Sequence, residues 1–178
     1  MILETMIQTG LRPGEVCSLQ KRDVAVRYGK RQVYVRHGKW SRPRKGQIKD
    51  KSRWVTITRS LADLLGAYLD RARNGAGRTY PVSLNRWSRP LRYRNLYDMI
   101  KSVGRRAGLE DLRPHRLRHT YSTFFLNSGG GLKALQEQLG HEHYRTTEIY
   151  AKSLESAKEA AVDDFENYLE EQTIYIEA

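Results

Sequence analysis

The sequence predicts a mainly helical α+β domain containing one small antiparallel sheet of three strands. Three observations lead there. Most of the 178 residues fall in stretches whose apolar residues recur three and four apart and which stop at Gly or Pro. The pattern turns β-rich only within residues 24–58, around a Gly-containing turn. No internal repeat or low-complexity block divides the chain, so its length suits one domain.

The elements follow in order. "MILETMIQTG" reads as the end of a helix closed by Gly10. "PGEVCSLQKRDV" opens a second helix at Pro13, with Val16 and Leu19 as its apolar positions. "VAVRYGKRQVYVRHG" holds two short strands and "SRWVTIT" a third. Between them, "HGKWSRPRKGQIKDKS" is too polar for core and is expected to be a long, mobile hairpin loop. "SLADLLGAYLDRAR" is an amphipathic helix capped by Ser60. A loop with Gly75, Gly77, Pro81 and Pro90 carries Trp87, Arg86, Arg89, Arg92 and Arg94, and "NLYDMIKSVGRRAGL" is the next helix.

In "RPHRLRHTYS", Pro114 suits a first helical turn, where its missing N–H costs nothing. Leu117, Tyr121 and Phe124 are expected on the buried face, with His115 and Arg118 leaving one face beside it. Two such cations side by side predict an anion between them. "NSGGG" ends this helix, "LKALQEQLG" is a short one stopped by Gly140, and "RTTEIYAKSL" is a small one. "ESAKEAAVDDFENYLEE" is a final acidic helix with Ala161, Phe165 and Leu169 on one stripe.

Composition narrows the function. A hydrophobic share of 39% with three Trp fits a folded chain rather than a disordered one. Cys17 stands alone, which excludes an internal disulfide and a thiolate zinc site. No apolar run approaches a membrane span and no leader-like segment opens the sequence, so the expectation is a soluble, cytoplasmic protein without a membrane partner. The net charge of +12 is unevenly spread. From Ser153 onward eight acids face one base, a net of −7, while residues 1–152 carry 31 bases and 12 acids, a net of +19. Such a body predicts a polyanionic partner, with double-stranded DNA the first candidate. Between Arg27 and Arg53 eleven Lys and Arg accompany the single acid Asp50, which suits a hairpin lying on a phosphate backbone.

Three blocks carry the chemistry: "TGLRPGE" at 9–15, "PHRLRH" at 114–119 and "LGHEHYRTTEIY" at 139–150. They supply Arg12, Glu15, His115, Arg118, His141 and Tyr150. Arginines, histidines and a tyrosine without clustered carboxylates or Cys make no metal site. They do suit a phosphodiester. Guanidinium forks match its non-bridging oxygens, and a tyrosine hydroxyl relieved of its proton can attack phosphorus.

Together these blocks resemble those of the tyrosine recombinases, the phage-integrase family, across residues 1–165. The resemblance implies that family's catalytic-domain fold, and the following roles. Arg12 and Arg118 clamp the scissile phosphate, His115 is the general acid/base, and His141 hydrogen-bonds a phosphate oxygen. Tyr150 attacks, giving a 3′-phosphotyrosine and a free 5′-hydroxyl. Glu15 and His119 support the site. Neither metal nor ATP is needed, because the phosphotyrosine link conserves the bond energy.

A hairpin lysine that protonates the leaving 5′ oxygen is also implied. Family hairpins are compact, whereas the loop before "RWVT" here is long, so three candidates stand. Lys49 is favoured by its distance from that strand, Lys39 by its local motif, and Lys51 comes third. Arg42, Arg44, Lys45, Lys51, Arg53, Arg86 and Arg89 are expected to contact DNA. The division expected is a catalytic domain at 1–152 and an acidic C-terminal helix or tail at 153–178, which docks protomers of a tetramer on DNA or folds back on its own domain. The family's N-terminal core-binding domain has no counterpart in these residues. The expected activity is site-specific DNA recombination, as in integration of a mobile element. Rival readings are a non-enzymatic DNA-binding integrase remnant and a type IB-like topoisomerase.

Overall fold

A computed structural model describes residues 1–36 and 52–140. Helix α1 (Ile2–Thr9) ends as its glycine predicts: Gly10 sits at φ 62°, and its N–H donates to the Met6 carbonyl. A Cβ at Gly10 would lie 2.4 Å from Cδ1 of Tyr121, so the glycine also permits close approach of a distant helix. Helix α2 (Pro13–Ser18) is shorter than the predicted stretch. A 3₁₀ turn at Lys21–Asp23 follows. There the buried Asp23 carboxylate accepts the Gln20 N–H at 2.7 Å and pairs with Arg36.

Strands β1 (Val24–Ala25), β2 (Gln32–Val35) and β3 (Arg53–Thr56) form the expected antiparallel sheet in the order β1-β2-β3. Val33 pairs with Val24 and Val55, and Tyr34 with Trp54. Alternation decides the faces: Val33, Val35 and Val55 are buried, while the Tyr34 and Trp54 rings meet on the other face at 5.0 Å. The expected hairpin loop between β2 and β3 lies outside the described residues, save Ser52.

Helix α3 (Arg59–Ala72) is capped by Thr58, not Ser60. The Thr58 backbone is extended and its hydroxyl accepts the Leu61 N–H at 3.2 Å, which places Ser60 inside the first turn. Helix α4 (Tyr93–Arg106) begins at Tyr93 rather than Asn95. Helix α5 (Pro114–Asn127) starts at its proline, and α6 (Leu132–Leu139) stops at Gly140, again in the left-handed region. The main core gathers Met6, Leu11, Val16, Val33, Val55, Leu61, Leu65, Leu96 and Ile100 between the sheet and α1–α4. Each such side chain contributes about 1.5–3 kcal/mol by leaving water. A second cluster of Tyr121, Leu126, Leu135 and Leu139 joins α5 to α6.

One face differs from expectation. Phe124 is 65% exposed, whereas Pro114, Leu117, Arg118, Tyr121, Ser122 and Leu126 are buried. At about 100° per residue, that set centres on Arg118 and leaves Phe124 past its edge. The helix is turned to seat a guanidinium rather than to bury every apolar residue.

Candidate active site

Arg118 is 7% exposed, and its fork spans two main-chain carbonyls: Nη1 donates to Gly10 at 2.6 Å and Nη2 to Leu139 at 2.9 Å. These acceptors lie just past α1 and at the end of α6. Both carbonyls belong to helix ends that lack intrahelical donors, and the negative pole of α6 favours the cation. The α1–α5 seam thereby places Arg118 beside the start of α2.

Arg12 is the residue that precedes α2, and Glu15 stands one turn later. The Glu15 carboxylate accepts the Arg12 main-chain N–H at 2.7 Å and its Nη1 at 3.2 Å. The same Nη1 lies 3.5 Å from the Leu139 carbonyl, at the outer limit of a hydrogen bond. Two arginines remote in sequence therefore face one carbonyl oxygen, and the Arg12 side chain remains 44% exposed. His115 is exposed on the first turn of α5, one turn before Arg118, and His119 is exposed one turn after His115. The shared face expected of His115 and Arg118 resolves into an outward imidazole and an inward guanidinium.

Arg53 departs from expectation. It was expected among the DNA contacts, but its side chain is only 12% exposed. Nη1 and Nη2 grip the two Glu15 oxygens at 3.0 and 3.1 Å, and Nε donates to the Gln138 carbonyl at 2.8 Å. The pull comes from a carboxylate 38 residues away, which residue spacing does not reveal. Gln138 itself also went unforeseen. Its side-chain amide accepts the Thr56 N–H at 3.0 Å and donates to the Thr56 carbonyl at 3.1 Å, closing the edge of β3 as another strand would.

The electrostatics follow from this packing. Burial alone pushes the Glu15 carboxyl up; the Arg53 fork and charge, then the Arg12 N–H and charge, outweigh it and hold it below its ordinary value of 4.5. Because the folded value is the lower one, the stabilisation is fully present above pH 4.5 and is lost as pH falls through the depressed value. Glu15→Gln should cost about 3 kcal/mol at neutral pH, by leaving a buried guanidinium unpaired, and should flatten the acid limb of stability. Urea melts from pH 3 to 7 check both, and parallel limbs for the two proteins would contradict the assignment. Burial pushes the Cys17 thiol up to about 11, so it is no nucleophile at neutral pH.

Gly140 sits at φ 62°, and a Cβ there would lie 2.7 Å from Nη1 of Arg53. Gly140→Ala should therefore cost about 1–2 kcal/mol for the left-handed backbone, plus displacement of the guanidinium. A thermal melt reads this, and an unchanged midpoint would contradict it.

A second basic surface surrounds Trp87, which is 61% exposed with the Arg86 guanidinium 4.0 Å above its ring centre. The Asn85 side chain accepts the N–H groups of Trp87 and Arg89, fixing the turn. Beside it a groove of about 450 Å³ is lined by Trp87, Arg89, Arg92 and Asn95, among others. Arg86 and Arg89 are both exposed on this surface.

The structure thus brings Arg12, Glu15 and Arg118 together, while His115 and His119 are exposed on α5, the helix that carries Arg118. Lys39, Lys49, His141 and Tyr150 lie outside the described residues, as do Arg42, Arg44, Lys45 and Lys51. No described helix is long and apolar enough to cross a membrane.

Against known proteins, residues 1–157 match the model of the phage integrase family. Over 152 residues the chain is 35% identical to tyrosine recombinase XerA of Thermococcus kodakarensis, aligning 85% of this chain with 50% of that protein. A crystal structure of XerA recombinase aligns with TM-score 0.70 at 30% identity, covering 83% of this chain and 50% of the other. The XerH site-specific recombinase, bound to its difH substrate in a pre-cleavage complex, aligns with TM-score 0.66 at 25% identity, covering 88% and 43%. The chain spans about half the length of these relatives. The small sheet flanked by helices is the fold of those recombinases, and the guanidinium pair lies inside the matched region. By that match and that fold, the chain belongs to the phage integrase family.

Proposed function

We propose that this chain is the catalytic domain of a site-specific DNA recombinase, which cuts a strand with a tyrosine nucleophile and rejoins it to a new 5′-hydroxyl. One observation carries the reading: Arg12 and Arg118 meet at the Leu139 carbonyl, from positions 127 and 21 residues away. Their forks suit the non-bridging oxygens of one phosphodiester, whose added charge in the transition state they neutralise.

The chemistry is a balanced exchange of phosphate esters. The Tyr150 oxygen attacks phosphorus as its proton passes to a base, with His115 the candidate on α5. The P–O5′ bond breaks, and the departing oxygen takes a proton from Lys49 or Lys39. His141 follows Gly140 in sequence and hydrogen-bonds a phosphate oxygen. Rejoining runs the same steps in reverse with another 5′-hydroxyl, and no metal or nucleotide enters the balance. The acidic segment 153–178 docks on a neighbouring copy in a tetramer on DNA, and residues 1–152 do the cutting. The protein acts in the cytoplasm, where its DNA is. Family membership, the +19 charge of residues 1–152, and the Arg86–Trp87–Arg89 surface support duplex DNA as partner.

The test is covalent capture from a library of nicked duplexes, with the adduct resolved under denaturing conditions. A protein–DNA adduct through a tyrosine is expected. Its absence from every duplex that the protein binds would leave a DNA-binding remnant instead. Supercoil relaxation without exchange between two captured sites would favour the topoisomerase reading.

A further inference from the structure

We infer that Arg53 is a positioning residue: by saturating the Glu15 carboxylate it keeps the Arg12 guanidinium available for the phosphate. The inference rests on the proposed function and adds a residue to that site. Arg53 and Glu15 are each 12% exposed, whereas Arg12 is 44% exposed. Arg53 occupies both carboxylate oxygens as a fork, while the Arg12 side chain touches only one of them, through Nη1. The division has a physical consequence. A largely buried carboxylate must be compensated, and with Arg53 present it is, without calling on the whole Arg12 fork. Without Arg53 the described cation that still holds Glu15 is Arg12, and the carboxylate draws that guanidinium inward, away from an incoming anion.

Arg53 also supports the other clamp residue. Its Nε binds the Gln138 carbonyl, one residue before the Leu139 carbonyl that orients Arg118. Its guanidinium lies against Gly140, where a Cβ would stand 2.7 Å from Nη1 and displace it. Since Arg53 opens β3, it links the hairpin strand to both arginines without itself standing at the surface. A lysine could replace its charge but not its three directed contacts.

The experiment compares Arg53→Met and Arg53→Lys in the full chain, each with Arg12 intact and with Arg12→Ala. Three quantities are read: adduct formation at saturating DNA, DNA affinity, and the Arg12 Nε–H resonance in ¹⁵N spectra. Arg53→Met should slow cleavage about 100-fold, as expected for a misplaced catalytic group, with affinity changed less than about threefold. Arg53→Lys should recover part of that loss. In the Arg12→Ala background the further loss from Arg53→Met should shrink below about threefold, because the group it positions is gone. The Arg12 resonance should move in Arg53→Met.

Should Arg53→Met fold poorly, Arg53→Met with Glu15→Gln removes both buried charges, and it should cleave faster than Arg53→Met alone. Full multiplicativity with Arg12→Ala, affinity falling in step with cleavage, an unmoved Arg12 resonance, or a double variant no faster than the single would each overturn the inference. Failure of the unsubstituted chain to form an adduct strikes the functional reading, while the Arg12 resonance still decides whether Arg53 positions its neighbour.

Discussion

Replacing Tyr150 by Phe should abolish the covalent protein–DNA adduct while leaving DNA affinity within about twofold. The substitution deletes one oxygen from the chain and no charge. On the proposed function, affinity for duplex DNA comes from phosphate contacts of exposed basic residues, and the substitution removes none of the 31 bases of residues 1–152. Cleavage cannot proceed without the atom that attacks, so a loss of at least about 10⁴-fold is expected, limited by the assay background. Tyr144 offers an internal control. Tyr144→Phe should cleave normally, because that hydroxyl precedes Thr146 and Thr147 and is not the one the family motif assigns. Adduct recovered from Tyr150→Phe, or lost from Tyr144→Phe, would move the nucleophile elsewhere.

Arg118→Lys should separate chemistry from binding in a different way. The native fork holds two carbonyls at once, Gly10 at 2.6 Å and Leu139 at 2.9 Å, so its plane is fixed before any anion arrives. An ammonium keeps the charge and cannot bridge the two carbonyls in that fixed plane. Cleavage at saturating DNA should fall about 10²–10³-fold, the usual consequence of removing a preorganised donor from a developing anion, or about 2.7–4 kcal/mol. DNA affinity should fall less than about fivefold, since a cation remains. Equal losses in rate and affinity would make Arg118 an anchor and not a catalyst. A thermal melt run alongside shows how much of the change is lost structure, because the residue also ties α1 to α6 through α5.

Much of this was legible in the sequence because local rules governed it. Gly10 and Gly140 stop their helices where a left-handed residue is required, and Pro114 starts one where no N–H is needed. The three strands follow from alternation, and the pairing of Tyr34 with Trp54 follows from their register. Most of what escaped depended on partners remote in the chain. By residue type Ser60 is the better cap, and the extended backbone of Thr58 decides against it, a local exception. Phe124 looked buried because periodicity counts apolar residues and cannot see that a buried guanidinium turns the helix. Arg53 looked like a DNA contact because it sits in a basic run. A sequence window contains no sign that Glu15 and Gln138 lie within reach of it.

The separations between these partners also constrain when the clamp can exist. Arg118 closes on Gly10 across 108 residues, and Arg12 approaches Leu139 across 127. Contacts of such span must meet a large loop-closure entropy and need both partners present. A polypeptide emerging from the ribosome therefore has no assembled pair of forks until residue 139 is available, however well its earlier helices have formed. The paired-guanidinium site is withheld from every shorter nascent chain and arrives with the finished fold.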